Sequence, residues 1–315
     1  MIHYSPMAYH ESVLLHESID LLAVRPGGIY VDATFGGGGH SRLLLEKMGG
    51  KGHLYAFDQD ADAAQNVSQP AFSAARNFSF IQSNFRHLKR QLRAEGLRAG
   101  SVQGILADLG VSSHQLDTAE RGFSYRFEAA LDMRMNRADG PTAADLLNSY
   151  SAEELQRVLG ELGEVRNART LAQGVVQSRQ QSPFRSTRDL ADLCDRYHIG
   201  GDRMRYRSQV FQALRMEVND ELGALEDFLN DAQEMLAPGG RLALITFHSL
   251  EDRMVKHFLK TGNVQGDLVK DFYGNIERPW KAITKKAIEP QEGEVKTNVR
   301  ARSSKLRVAE KGAAI

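Results

Sequence analysis

Residues 29–41, read IYVDATFGGGGHS, constrain this chain most. A short β-rich run ends on Asp32, four glycines follow at Gly36, Gly37, Gly38 and Gly39, and Ser41 opens a leucine-bearing helix over 42–47. The order is strand, glycine turn, helix. Glycine has no Cβ, so the backbone turns sharply and can approach a ligand closely. The helix start adds unpaired N–H donors and the positive end of a dipole. Such a turn suits a nucleotide-like ligand.

The turn is not a dinucleotide fingerprint, because Gly36-Gly37-Gly38-Gly39-His40-Ser41 lacks the third glycine of G-x-G-x-x-G. The D-x-G-x-G-x-G pattern of S-adenosylmethionine (AdoMet) enzymes is met by Asp32 to Gly38, with Thr34 in place of the first glycine. A second strand at 53–57 closes on Asp58, about 20 positions on, the distance at which such units place a carboxylate on a ribose. A third strand at 78–82 leads to Phe85 and a basic helix at 87–95; a fourth at 102–106 leads to Asp108-Leu109-Gly110. Polar groups at strand ends line the crevice in which open α/β sheets bind ligands.

The alternation then stops. Residues 121–211 read as helices, with a capping box at Ser151/Glu154, a helix at 167–180, and another at 187–197 capped by Ser186. Helices at 209–222 and 225–236 follow; Pro238-Gly239-Gly240 is a stop before a strand at 241–247. A last strand is expected at 303–308, paired as a hairpin with the run near 268–276, and the N-terminus should carry an amphipathic helix over 10–22. The expected fold class is α/β, with a discontinuous sheet domain at 1–120 plus 212–315 interrupted by a helical domain at 121–211.

Composition narrows the function. No apolar run reaches the roughly 18 residues of a membrane span, and the one cysteine, Cys194, excludes a disulfide framework and a cysteine-based zinc site. His10 and His16 are poorly spaced for a metal site, so no metal is expected; the expected location is cytoplasmic. Net charge is zero, but its distribution is uneven. Between 165 and 215 every cation is an arginine (Arg166, Arg169, Arg179, Arg185, Arg188, Arg196, Arg203, Arg205, Arg207, Arg215), with Phe184, Tyr197, Tyr206 and Phe211 interleaved. Arginine forks suit phosphate and aromatic rings suit bases. The C-terminus is basic as well, so an RNA or DNA partner is expected. No phosphate loop of the G-x-x-x-x-G-K type and no G-x-S-x-G elbow is present, and the close spacing in Phe247-His248-Ser249-Leu250-Glu251-Asp252 does not suit a Ser/His/Asp triad.

Several stretches occur together and in order: HESVL at 10–14, FGGGGHS at 35–41, DLGVSSHQLD at 108–117, RGFS at 121–124, LDMRM at 131–135, FQALRMEVNDEL at 211–222, FHSLEDR at 247–253 and NVRARSSKLR at 298–307. On these the chain resembles the bacterial small-subunit ribosomal RNA methyltransferase H (RsmH/MraW) family, over nearly its whole length. The resemblance implies a Rossmann-like class I AdoMet-dependent methyltransferase sheet with an inserted all-helical domain. It implies methylation of N4 of a cytidine in the decoding region of 16S rRNA. Cofactor contacts then fall on Gly38, Gly39, His40, Asp58, Phe85, Asp108 and Gln115. Asp108 is the expected proton acceptor, with Ser112, Ser113 and His248 lining the base pocket. Within the same stretches Arg134, Arg215, Asn219, Arg253, Arg300, Arg302 and Lys305 are the expected RNA contacts. The partner is 16S rRNA in the small subunit or a late precursor, without a membrane, and a homodimer is left open. The alternative reading is a non-catalytic RNA-binding assembly factor that keeps the fold. The chain departs from the family where Tyr206-Arg207-Ser208-Gln209 replaces the usual His-Pro-Ala-Thr and where Val165 follows Gly163-Glu164.

Overall fold

The computed structural model describes residues 12–270, 274 and 278–313. His10 and Glu11 lie outside them. The chain divides into two compact units, Met1–Gly110 with Gly223–Ile315, and Val111–Leu222.

Among the described residues the first unit is built on seven strands: β1 (Ile29–Asp32), β2 (His53–Asp58), β3 (Phe78–Gln82), β4 (Val102–Asp108), β5 (Leu236–Thr246), β6 (Trp280–Ala282) and β7 (Lys305–Lys311). Their order is β3-β2-β1-β4-β5-β7-β6. β1 to β5 are mutually parallel, and β7 runs antiparallel to both β5 and β6. Apolar side chains alternate between the two faces. Val31, Phe57, Ile105, Leu242 and Leu244 pack with Leu88, Leu92, Phe228, Leu229 and Phe258. Tyr30, Leu54, Leu106, Ala243 and Ile245 pack with Ile19, Leu22, Leu44 and Met48. Both faces are covered, as a parallel sheet requires. Because all five parallel strands point one way, Asp32, Asp58 and Asp108 end at one edge.

Three expectations are corrected here. Pro238-Gly239-Gly240 does not interrupt β5: Leu236 pairs with Val102, the register shifts, and Arg241 pairs with Gly104. The bulge takes up a proline, which has no N–H to give a ladder. β7 forms its ladders with β5 and β6 rather than with a strand near 268–276, part of which lies outside the described residues. The first described helix is Leu15–Leu22, started by Leu14 in the left-handed region, so residues 12–14 of the expected helix over 10–22 lie outside it, while residues 10 and 11 are not among those described.

The second unit is helical, as read; its one β feature among the described residues is an isolated bridge, Ala130↔Ser186. Leu155, Leu171, Val175, Leu190, Leu193, Val210, Phe211 and Leu214 form its core. It is wider than 121–211, because the helix Arg203–Val218 is continuous and buries Ala213, Leu214 and Met216 beyond the expected end. Tyr206-Arg207-Ser208-Gln209 serves this unit structurally. The Tyr206 hydroxyl donates to Asn167 at 3.0 Å, and Arg207 forks onto Asp195.

Candidate active site

The site is built from the carboxyl ends of β1, β2, β3 and β4. After Asp32 the chain turns at once. Ala33 N–H bonds the Leu106 carbonyl and Phe35 N–H the Phe57 carbonyl, which tie the turn to both neighbouring strands. Gly38 (φ 79) caps the helix Gly39–Met48. A Cβ on Gly38 would stand 2.6 Å from the Phe72 ring, and one on Gly39 2.0 Å from Ser12 Oγ. In this structure these two glycines answer to packing.

Asp58 holds the turn from the β2 tip. Its Oδ2 accepts from Gly36 N–H at 2.8 Å and its Oδ1 from Asp60 N–H at 2.9 Å. Burial pushes this carboxyl up to about 6; the two N–H bonds oppose the rise and the charges of Asp60 and Asp32 add to it. A partly desolvated carboxylate of this kind is a strong acceptor for a pair of sugar hydroxyls. Phe85 follows β3 in a turn of 3-10 helix, its ring edge-on to Phe228 at 5.2 Å, leaving an aromatic surface at the same edge.

Asp108 ends β4. Its N–H donates to Thr34 Oγ1 at 2.7 Å. Its Oδ1 is buried with no hydrogen-bond partner among the described residues. Burial, then the charges of Asp32, Glu251 and Glu294, hold the carboxyl well above its ordinary value. An acceptor oxygen kept from water without a partner is costly unless a ligand supplies one.

The structure places His40 in the first turn of the helix Gly39–Met48. It is buried, with Nε2 at 3.1 Å from the Val13 carbonyl. Asp32 lies beside it, accepting from Ser41 Oγ at 2.7 Å. Burial lowers the His40 ring and raises Asp32. The side chain is thus a post between the N-terminal segment and the turn. His248 caps the helix Ser249–Thr261: its Nδ1 accepts from Glu251 N–H, and its Nε2 lies 3.0 Å from Glu251 Oε1. Glu251 Oε2 accepts from Phe247 N–H at 2.9 Å.

Ser112, Ser113 and Gln115 belong to the second unit. Ser112 caps the short helix Ser113–Asp117, and the Gln115 side chain returns a bond to Ser112 N–H at 3.0 Å. Of the expected RNA contacts there, Arg134 is forked onto Asp132 at 2.8 and 2.9 Å, and Arg215 onto Glu221 at 2.7 and 2.8 Å. Asn219 accepts from Met135 N–H and donates to the Met133 and Arg215 carbonyls. Arg134 and Asn219 hold the 131–135 segment, in which Met133 has φ 64. In the first unit, Arg253 and Arg302 are exposed, Arg300 is half-buried, and Lys305 lies 3.9 Å from Asp252.

The sequence reading passed over four residues of this edge. Thr34 stands where the glycine pattern was broken, and that departure was the signal for it. Asp32 was the first residue of the pattern. Glu251 lay inside FHSLEDR, weighed there only as a possible triad. Glu294, which accepts from Leu14 N–H at 2.8 Å, left no sequence signal.

A seven-stranded sheet with a glycine turn after β1, an acid at the β2 tip and an acid at the β4 tip defines a class I AdoMet-dependent methyltransferase. Residues 7–312 match the MraW methylase family, and the chain belongs to it. Three similar proteins carry the name ribosomal RNA small subunit methyltransferase H. That of Cytophaga hutchinsonii is 52% identical over 96% of this chain and 99% of its own. Those of Parabacteroides distasonis and Flavobacterium johnsoniae are 49% and 48% identical, over 96% and 97% of this chain and 97% and 98% of their own.

Proposed function

We propose that this enzyme methylates the exocyclic N4 of a cytidine in the decoding region of 16S rRNA, cytidine 1402 in the usual rRNA numbering. Asp108 carries the reading: a buried carboxyl with one oxygen unpaired among the described residues, at the tip of the central strand. When bound, AdoMet supplies a methyl group already activated by a sulfonium. The protein's work is to position and desolvate the acceptor. An exocyclic amine shares its lone pair with the ring, so attack needs a base for the proton it sheds. Asp108, raised by burial and by three acids, is a stronger base than an ordinary carboxylate. Asp58 takes the ribose hydroxyls, and Phe85 offers a face to the adenine. The residues fit the cofactor because each acceptor stands at the edge where the turn opens.

The relatives' names support rRNA of the small subunit as the substrate. The inserted unit offers exposed Arg166, Arg169 and Arg205, with no side-chain partner among the described residues, to phosphates. A target base in folded RNA must leave its stack, and phosphate contacts on either side would hold the strand while it does. The test is nucleoside mass spectrometry of small-subunit RNA from a strain lacking the gene. N4-methylcytidine should be reduced there and restored by the wild-type gene; an unchanged nucleoside profile would refute the assignment.

A further inference from the structure

Beyond Thr246 at the end of β5 lies a cavity of about 300 Å³, lined by Thr246, Phe247, His248, Ser249, Ser303 and Lys305. Asp108 pairs with Ile245 across β4 and β5, and Thr246 pairs with Lys305 across β5 and β7. The cavity therefore lies one strand over from Asp108, on the side away from β1, β2 and β3, whose tips carry the proposed cofactor contacts. Phe247 borders the turn after Asp108: a Cβ on Gly110 would stand 3.7 Å from its ring.

The lining is ordered and mixed. Glu251 touches both aromatic groups, its carboxylate accepting from Phe247 N–H and its own N–H donating to His248 Nδ1. Lys305 is only loosely paired. Its nearest carboxylate, Asp252, is 3.9 Å away and already accepts two bonds from Arg307, at 2.7 and 3.0 Å. Two rings, hydroxyls and one lightly held ammonium suit a base attached to a phosphate. The volume lies at the low end of ligand pockets, about 300–1,000 Å³, room for one nucleoside rather than a helix.

We propose that this cavity receives the acceptor nucleotide, with its base against Phe247 and His248 and a phosphate on Lys305 and Ser303. The inference rests on the RNA acceptor proposed above. It places acceptor and donor on opposite sides of Asp108.

The test uses full-length protein without AdoMet. Cytidine 5′-monophosphate and cytidine are titrated into wild type, Lys305→Gln, Ser303→Ala and Lys51→Gln, the last an exposed lysine in the turn before β2. Unmethylated small-subunit RNA is then titrated across a salt series. Wild type should prefer the monophosphate over cytidine, and Lys305→Gln should abolish that preference. Lys305→Gln should also weaken RNA binding about tenfold and reduce the salt slope by about one. Lys51→Gln should change neither, and AdoMet titration should give the same affinity in every variant, showing each to be folded. Equal binding of the two ligands by wild type, or an unchanged preference and slope in Lys305→Gln, would overturn the pocket. Absence of methyl transfer to RNA by wild type would instead overturn the RNA reading on which it rests.

Discussion

The N–H of Gly36 donates to Oδ2 of Asp58 at 2.8 Å, so the first glycine of the turn and the acid at the β2 tip form one unit across 22 positions of sequence. A ribose would meet a carboxylate already oriented by the turn. Sugar hydroxyls donate best to the ionised form, and burial holds this carboxyl at about 6. The sign follows: cofactor binding favours loss of the Asp58 proton, so affinity should be full above that value and weaken as pH falls through it. AdoMet titration between pH 5 and pH 8 checks this. Asp58→Ala should weaken binding by about 2–4 kcal/mol at neutral pH, the scale of two charge-assisted hydrogen bonds, and flatten the pH dependence.

Asp108→Asn should separate binding from chemistry. The amide keeps the shape of the acid but cannot take a proton. AdoMet affinity should stay within a few-fold, while turnover falls by roughly 10²–10⁴, the usual scale of a lost general base. In wild type, turnover should rise with pH as the raised Asp108 carboxyl ionises, and the variant should lose that rise. Single-turnover methyl transfer at several pH values checks both.

Thr34→Val should disturb Asp108 without touching its carboxyl. Its hydroxyl accepts Asp108 N–H at 2.7 Å, and valine leaves that donor bare. The expected cost is about 1–3 kcal/mol of stability, with a fall in turnover, and Thr34→Ser should restore both. Denaturation and kinetics on the three proteins decide it.

Arg121 is a cation buried in the inserted unit, 1% exposed, donating to the Arg134 and Met135 carbonyls. Arg121→Met should destabilise that unit by about 1.5–3 kcal/mol. Cys194, the chain's one cysteine, is buried in the same core, and burial pushes its thiol up to about 12. Its labelling reports opening of the unit, and should run roughly 10- to 150-fold faster in the variant.

Much of the edge could be read from the chain because its signals are local. β3 and the helix Thr187–Tyr197 fall where read, and the caps at Ser151 and Ser186 are present. Strand, glycines and acids come in the order the sheet needs, so the places of Asp58 and Asp108 at the ends of β2 and β4 could be read. Pairings between distant residues could not be read in the same way. Arg134, Arg215 and Asn219, the expected RNA contacts of the second unit, carry no sequence mark of the partners they have here, Asp132, Glu221 and the backbone at 133–135. β6, three residues long, carries too little pattern to mark it, and the Glu294 bond to Leu14 N–H spans 280 positions.

Methyl transfer from methyl-tritiated AdoMet to unmethylated small-subunit RNA, followed by digestion to nucleosides, tests the central claim most directly. Label should co-elute with N4-methylcytidine for wild type and nearly vanish for Asp108→Asn. Donor bound by the wild-type protein with no label in RNA, or label in another nucleoside, would contradict it.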